Sequence, residues 1–524
     1  MMMNHRSVFA LVLLLSVVLH VGADPLPTGA NVLHGDVAIA TDASTMNINQ
    51  ATATAIVNWN SFNIGAGYGV DVSQPSANAA MLSRVIGADP SEILGSLRAN
   101  GAFYLINPNG VYFGPNAVVD VAKLIASTFD ISDTDLLNGN LNFTGTSSAE
   151  IANEGTITAQ SVVLFAHDVA VGGTIRADRI GLCATPRGGR VYDFAHGGEI
   201  IFDFSDTPLP TVLTAGDVVV EGTLDASGPT GGNIRIQGDR VGVFGGEVHA
   251  DGKTGDAGDM HIAGSDTVVL TSGSLITANG GTNGDAGIIQ VISQETVLFR
   301  QGSVLEARGG TASGDGGFVE ISGNDSVEIY GSVDTAAPNG EPGMVLIDSA
   351  SLDDIFLQGD STLVNTVNVN GSIDISPGIS TITAAGNIDV TSAGNLDLLV
   401  VPPDNGVTLA ADNGITIAGG GGIVLSSGIA DDAPPSVYSG DGTGTISVTG
   451  TSANVVVDAG LVNLSVIRPY DLGAVKIRRA TVLNESSQVF RSLRQPAPRP
   501  ISLPQMQPML DLSTPRDFRV NLDF

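Results

Sequence analysis

Apolar residues in this chain recur at every second position in short runs, and glycines separate the runs. Phe103 and Leu105, then Val111 and Phe113, fall two residues apart, the alternation of half-buried strands. The pattern repeats in Gly222-Thr223-Leu224-Asp225-Ala226, Gly246-Glu247-Val248-His249-Ala250, Gly273-Ser274-Leu275-Ile276, Gly302-Ser303-Val304-Leu305 and Gly331-Ser332-Val333-Asp334. The leading glycines step by 24, 27, 29 and 29 residues. Copies run into Gly-rich turns, Gly255-Asp256-Ala257-Gly258, Gly284-Asp285-Ala286-Gly287 and Gly314-Asp315-Gly316-Gly317, and a strand follows each turn. Asn153-Glu154-Gly155-Thr156-Ile157 and Gly172-Gly173-Thr174-Ile175 read as degenerate earlier copies. Strand-only repeats of this period predict stacked rungs, because one rung cannot hide its inward face but a stack can. The expected fold is all-β, a right-handed parallel β-helix (β-solenoid) with an N-terminal cap near residues 30 to 60.

Composition supports strands over helices. Glycine is 67 of 524 residues and aromatics are 5%, poor material for long helices. His5-Arg6, the apolar stretch from Val8 to Val18, and Val21-Gly22-Ala23 before Asp24 predict a cleaved signal peptide over residues 1–23. A single Cys183 permits no internal disulfide. The net charge is −32, with no Lys or Arg between Gly309 and Ile467. Beyond Arg468 lie Lys476, Arg478, Arg479, Arg491, Arg494 and Arg499 among prolines. Nucleic acid is excluded as a partner, since the body lacks a basic footprint. The organisation expected is a recognition domain over 24–150, repeats of about 24–29 residues over 151–350, a shorter-period, irregular solenoid over 351–467, and a basic, Pro-rich tail over 468–524. The alternating Phe518, Val520, Leu522 and Phe524 would suit a strand docking on the solenoid or an envelope partner, but a frayed end is expected.

Five blocks in the first part stand in a particular order. They are Asn58-Trp59-Asn60-Ser61-Phe62-Asn63-Ile64-Gly65; Gln74-Pro75-Ser76; Arg84-Val85-Ile86-Gly87-Ala88-Asp89-Pro90-Ser91; Asn107-Pro108-Asn109-Gly110; and Leu124-Ile125-Ala126-Ser127-Thr128. Over residues 30 to 145 this series resembles the haemagglutination-activity domain of filamentous haemagglutinin-type exoproteins, which heads proteins exported by two-partner secretion. Two departures stand out: Ser83 replaces a usual Asn, and Val121-Ala122-Lys123 replaces a usual Gly-Gly pair. The resemblance implies a dedicated outer-membrane transporter as partner, with Asn107, Pro108, Asn109 and Gly110 as the secretion motif. It also implies an adhesin-like protein, secreted or held at the surface of a Gram-negative-type bacterium after crossing the periplasm, with a host or neighbour-cell glycan or protein as a further partner. An autotransporter would carry its own barrel; fewer than sixty residues follow Arg468, so a separate pore is expected.

Candidate chemistry is sparse. A lyase of the pectate type needs a cationic base, which the acidic stretch lacks. Asp353-Asp354 and Asp431-Asp432 are adjacent pairs, but neighbours on a strand point to opposite faces. The Gly-Asp turns admit shared calcium or plain turn chemistry, and their period is about three times that of the calcium-binding nine-residue repeat. His34, His167, His196, His249 and His261 show no metal-ligand spacing. No catalytic residue, metal or cofactor is expected. A polysaccharide-active enzyme on the same scaffold and a structural envelope protein are the alternative readings.

Overall fold

The computed structural model describes residues 24–192, 200–204, 216–323, 326–329, 331–341 and 343–349, with strand backbones beyond. The expected signal segment, His196, Asp353-Asp354, Asp431-Asp432 and most of the basic tail lie outside them.

Strands stack in parallel, as the alternation requires. One column of paired residues runs Thr45, Gly69, Ser96, Val118, Thr156, Thr174, Thr223, Glu247, Leu275, Val304, Ser332. Rungs lie about 4.8 Å apart, the spacing of hydrogen-bonded strands. A single aliphatic interior threads the stack from Met46 and Ile48 to Val333 and Val345. The fold is the parallel β-helix expected, and right-handed crossovers are the course that twisted parallel strands favour. Antiparallel strands close its N-terminal end: Asn31–His34 on Thr54–Trp59, and Val37–Asp42 on Thr45–Gln50. Such a cap answers the exposed-edge problem of any open sheet.

Register refines the repeat. Gly222 and Gly246 stack under Ser274 and Ser303, while Gly273 and Gly302 continue a neighbouring column from Gly245. Those three glycines hold φ of +71°, +88° and +79°, a turn that L side chains resist. The leading glycines therefore belong to two columns, one residue apart. The earlier copies are genuine rungs, since Thr156, Thr174 and Thr223 pair in succession.

Uneven spacing marks two insertions. The step from Val118 to Thr156 carries the strand pair Asp130–Ile131 and Phe143–Thr144, with the short helix Asp133–Leu137 between them. Ser132 caps that helix by accepting the Asp135 N–H at 3.0 Å. The step from Thr174 to Thr223 carries a second pair, Arg190–Tyr192 and Ile201–Asp203. Both insertions lie on the outer face of the rungs. There Phe129, Phe143, Phe165 and Phe202 join Tyr104, Ile106, Ile125 and Val163 in a second apolar cluster. Cys183 is wholly buried in it, and burial pushes its thiol pKa well up. Beyond residue 350, Thr366–Asn370, Asn387–Ser392, Gly414–Ser427 and Asn454–Val466 pair in parallel succession. The frayed end expected for the last residues is not what is observed at 518–520: Phe518–Val520 pairs antiparallel with Ala474–Arg478.

Candidate functional site

The strand Ser96–Ile106 ends where Pro108 removes an N–H from the ladder. Asn107 donates its N–H to Ser127 O at 3.0 Å, and Gly110 closes the turn on Asn107 O at 3.0 Å. Gly110 has φ +111°, and a Cβ there would lie 3.0 Å from Glu150 O. The following strand, Val111–Phe113, does not fold back as a hairpin. It pairs in parallel with Ser91–Ile93 below and Glu150–Asn153 above, so the turn is a corner of the solenoid.

The four motif residues divide by exposure. Asn107 and Gly110 are buried, whereas Pro108 and Asn109 face solvent. The Asn107 amide donates to Asp89 O and to Ser91 Oγ, each at 3.0 Å, and its Oδ1 accepts the Asn109 N–H at 2.9 Å. Asn109 donates from Nδ2 to Gly87 O at 2.9 Å. The Asn-Pro-Asn-Gly turn is thus bolted to the Gly87–Ser91 loop of the rung beneath it. Ser147 donates to Pro108 O at 2.6 Å from the rung above.

The Asn58–Gly65 block supports that loop. A Cβ on Gly87 would lie 2.0 Å from Asn60 O, so only glycine lets the two corners touch. Ile86 donates its N–H to Trp59 O at 2.8 Å, and Asn63 Oδ1 accepts the Glu92 N–H at 2.9 Å. Trp59 stands edge-on to Phe62 at 5.4 Å between ring centres, and Phe62 lies 5.6 Å from Phe103. Gln74 and Asn100 exchange reciprocal bonds: the Gln74 N–H donates to Asn100 Oδ1 at 2.6 Å, and Asn100 Nδ2 to Gln74 O at 2.8 Å.

Arg84 ties the loop's strand to the first insertion. Its Nε donates to Asp130 at 2.8 Å, and its Nη2 donates to Ile131 O at 2.6 Å and lies 2.8 Å from Asp133. Burial opposes the guanidinium charge, but Asp130 and Asp133 outweigh it and hold the pKa above its ordinary value. The two departures lie away from the exposed turn. Ser83 sits in the interior column between Val57 and Leu105, and its buried Oγ has no hydrogen-bond partner. Lys123 is 5% exposed, with Nζ 3.4 Å from Asn78 Oδ1. Burial first, and Arg179 second, lower its pKa.

What reaches solvent is a ridge of stacked corners: Asn60, then Ile86 and Ala88 to Pro90, then Pro108 and Asn109. Ile86, at 58%, is the most exposed large hydrophobic residue among those described. Sequence reasoning missed Ile86, because alternation alone does not say which end of a strand overhangs. It also missed Arg84 as a hub. The signal available was the pair Asp130 and Asp133 in a step between copies too long for one rung. Among the described residues, no group of three His, Cys, Asp or Glu could hold a metal ion, and no helix is long and apolar enough to cross a membrane.

Comparison with known proteins follows this geometry. Residues 23–188 match the model of the TPS secretion domain. A heme/hemopexin-binding protein of Haemophilus influenzae is 33% identical over 197 residues, covering 37% of this chain and 22% of that protein. A second protein of that description and organism is 39% identical over 116 residues, covering 22% of this chain and 12% of its own length. The chain therefore spans about a fifth or less of the curated relatives it matches. The crystal structure of the HMW1 secretion domain from Haemophilus influenzae covers 71% of this chain and 94% of its own, at 22% identity and a TM-score of 0.49.

Proposed function

We propose, from the premise that residues 23–188 are the TPS secretion domain of a filamentous haemagglutinin-type exoprotein, that this chain passes through a partner transporter in the outer membrane. It reaches that pore from the periplasm of a Gram-negative-type bacterium. At the surface, or released from it, the chain acts as a non-catalytic, adhesin-like rod. The observation that carries this reading is the convergence of three separated blocks on one exposed ridge, with buried Asn107 holding the outward Asn109 in place. Pro108, Asn109 and Ile86 make the contact with the transporter, while Asn107 and Gly110 hold the turn in shape. The sides of the rod meet a glycan or protein on a host or neighbouring cell. Heme and hemopexin are not carried over, because the similarity to those relatives covers a small part of each.

The test separates contact from folding. Removing residues 107–110 would also break the buried Asn107 bonds, so the informative variants are Asn109→Ala and Ile86→Asp. In cells with the cognate transporter, the extracellular fraction of the double variant is expected to fall at least severalfold. The purified variant should keep its β-rich circular dichroism and thermal midpoint. Undiminished delivery of a correctly folded double variant would refute the ridge as the contact.

A further inference from the structure

One outward column of the rod is apolar. Ala152, Ala170, Val219, Gly242, Val269 and Leu298 stack in register. Their neighbours along each strand, such as Val169 and Val171 or Val218 and Val220, fill the interior, so the column itself points outward. Five steps of about 4.8 Å make a stripe of roughly 24 Å. Gly242 has no side chain, yet its place is taken: a Cβ there would run into the Phe244 ring, which therefore lies back over the stripe. Val269 beside it is 5% exposed although it stands outside the interior cluster, and Ala152, Ala170, Val219 and Leu298 are half-buried. Outward columns on two other faces of these rungs are polar, with Arg235, His261 and Gln290 on one and Asp225, His249 and Thr277 on the other. Carboxylates rim the stripe on both sides. Two residues before it, Glu150 pairs in register with Asp168, and Asp168 Oδ1 accepts the Asp217 N–H at 2.9 Å. Two residues after it stand Glu154 and Glu221, with Gly172 at the corner between them. Arg240 answers Asp217 through bonds of 2.7 and 2.5 Å, and Tyr112 donates to Glu154 at 2.5 Å. Burial first, and Asp168 second, push the Glu150 carboxyl above its usual range.

We propose that this face docks a basic amphipathic helix of a partner protein, lying along the rod. The widths agree. Glu150 and Glu154, like Asp217 and Glu221, are four residues apart, about 13 Å along a strand, and a helix with its side chains is about 10–12 Å across. Such a helix rests its apolar side on Ala170, Val219 and Phe244. Lys or Arg on its flanks reach Glu150 and Asp168 on one rim and Glu154 and Glu221 on the other, where charge-assisted bonds are the strong ones. An acidic glycan, an anionic bilayer or the same face of a second copy would set like charges against each other. The proposal names the partner for one side of the rod and rests on the reading that its sides make contact. It does not involve the Ile86–Asn109 ridge.

Titration of the purified full mature chain with a synthetic helix tests this. The probe is a Leu/Lys peptide of about 18 residues, close to 27 Å of helix, with Leu on one side and Lys on the other. A second peptide has the same composition in scrambled order, so that no apolar side forms. The first is expected to bind one per chain, and the second roughly tenfold more weakly. Ala170→Arg and Glu221→Lys should each weaken the first peptide by roughly tenfold. Asp120→Lys makes the same charge change as Glu221→Lys at an exposed position on a different face, and should alter binding by less than about twofold. Carbodiimide coupling in the unaltered chain should join the bound peptide's Lys to Glu150, Asp168, Glu154 or Glu221, a readout that needs no variant. Equal binding of the scrambled peptide overturns the proposal. So does an equal loss from Asp120→Lys, or coupling confined to other carboxylates. Peptide binding is measured without cells, so its failure is separate from a failure of adhesion, which is read by cell attachment.

Discussion

The first rungs and the later ones share a backbone and differ in what covers it. One outward column runs Tyr104, Ile125, Val163, Gly181, then Arg235, His261, Gln290, Glu320. Up to Val163 it is apolar and lies under the insertions; from Arg235 it is polar. Ser161–Ala166 and Arg179–Ala184 are buried on both faces, whereas Phe318–Gly323 alternates. Hydrogen bonding follows the same division. The first rungs use unrepeated contacts such as Arg84 with Asp130, and the later ones repeat the same kind of bond from rung to rung, as in Asp285 N–H to Asp256 and Asp315 N–H to Asp285. Irregular wiring specifies one surface, the Ile86–Asn109 ridge; periodic wiring specifies only the next rung. An irregular surface and a periodic rod are thereby made from the same kind of coil.

The strongest way to break the periodic half is to crowd its glycine column. A Cβ on Gly258 would lie 1.6 Å from Gly232 O, and one on Gly287 1.9 Å from Gly258 O. Gly258→Ala is expected to cost more than about 4 kcal/mol, read as loss of the cooperative denaturation transition. For the irregular half, the matching lesion is Phe165→Ala. Phe165 meets Phe129, Phe143 and Phe202 at 5.1, 5.6 and 5.7 Å between ring centres. A loss of about 3–5 kcal/mol is expected, with proteolysis appearing first in the insertions. Ala263 and Ser322 occupy the same outward column in the later rungs, and Ser322→Ala should change stability by less than about 0.5 kcal/mol.

Asn107→Ala leaves Ser91 Oγ and Asp89 O without their donor and should cost about 1–3 kcal/mol, whereas Asn109→Ala should lower export with little change in denaturation midpoint. Alkaline titration gives a subtler contrast. Burial pushes the Tyr104 phenol up to about 12; burial, followed by Glu154 and Glu92, does the same for Tyr112. Both groups favour the neutral form in the fold, while unfolded phenols ionise near pH 10. Stability is therefore undiminished below pH 10 and falls as pH rises from about 10 to about 12. Tyr104→Phe and Tyr112→Phe should flatten that fall, measured by urea midpoints across the range. A small gain is expected at Ser83. Replacing its unpartnered buried hydroxyl by Ser83→Ala should stabilise the chain by up to about 1 kcal/mol, since nothing is lost but a desolvated oxygen.

The amino-acid order by itself determined the coil. Period-two alternation, glycine at recurring turns and the want of helix formers leave stacked strands as the way to bury the Val, Leu and Ile positions. The Asn-Pro-Asn-Gly corner was legible for the same reason, because Pro and Gly restrict the backbone locally. Only tertiary structure decided which side of each corner faces out. Asn107 and Asn109 are the same residue type two positions apart, and one is locked inside by Asp89 and Ser91 while the other meets water. Those contacts join residues 16 to 18 apart along the chain, and Arg84 reaches Asp130 across 46. Alternation carries no information about such distant partners, nor about the insertions that turn an outward strand face into a second core. The one-residue shift between glycine columns was hidden for a related reason: rungs of unequal length keep their pairing in space while losing it in sequence spacing.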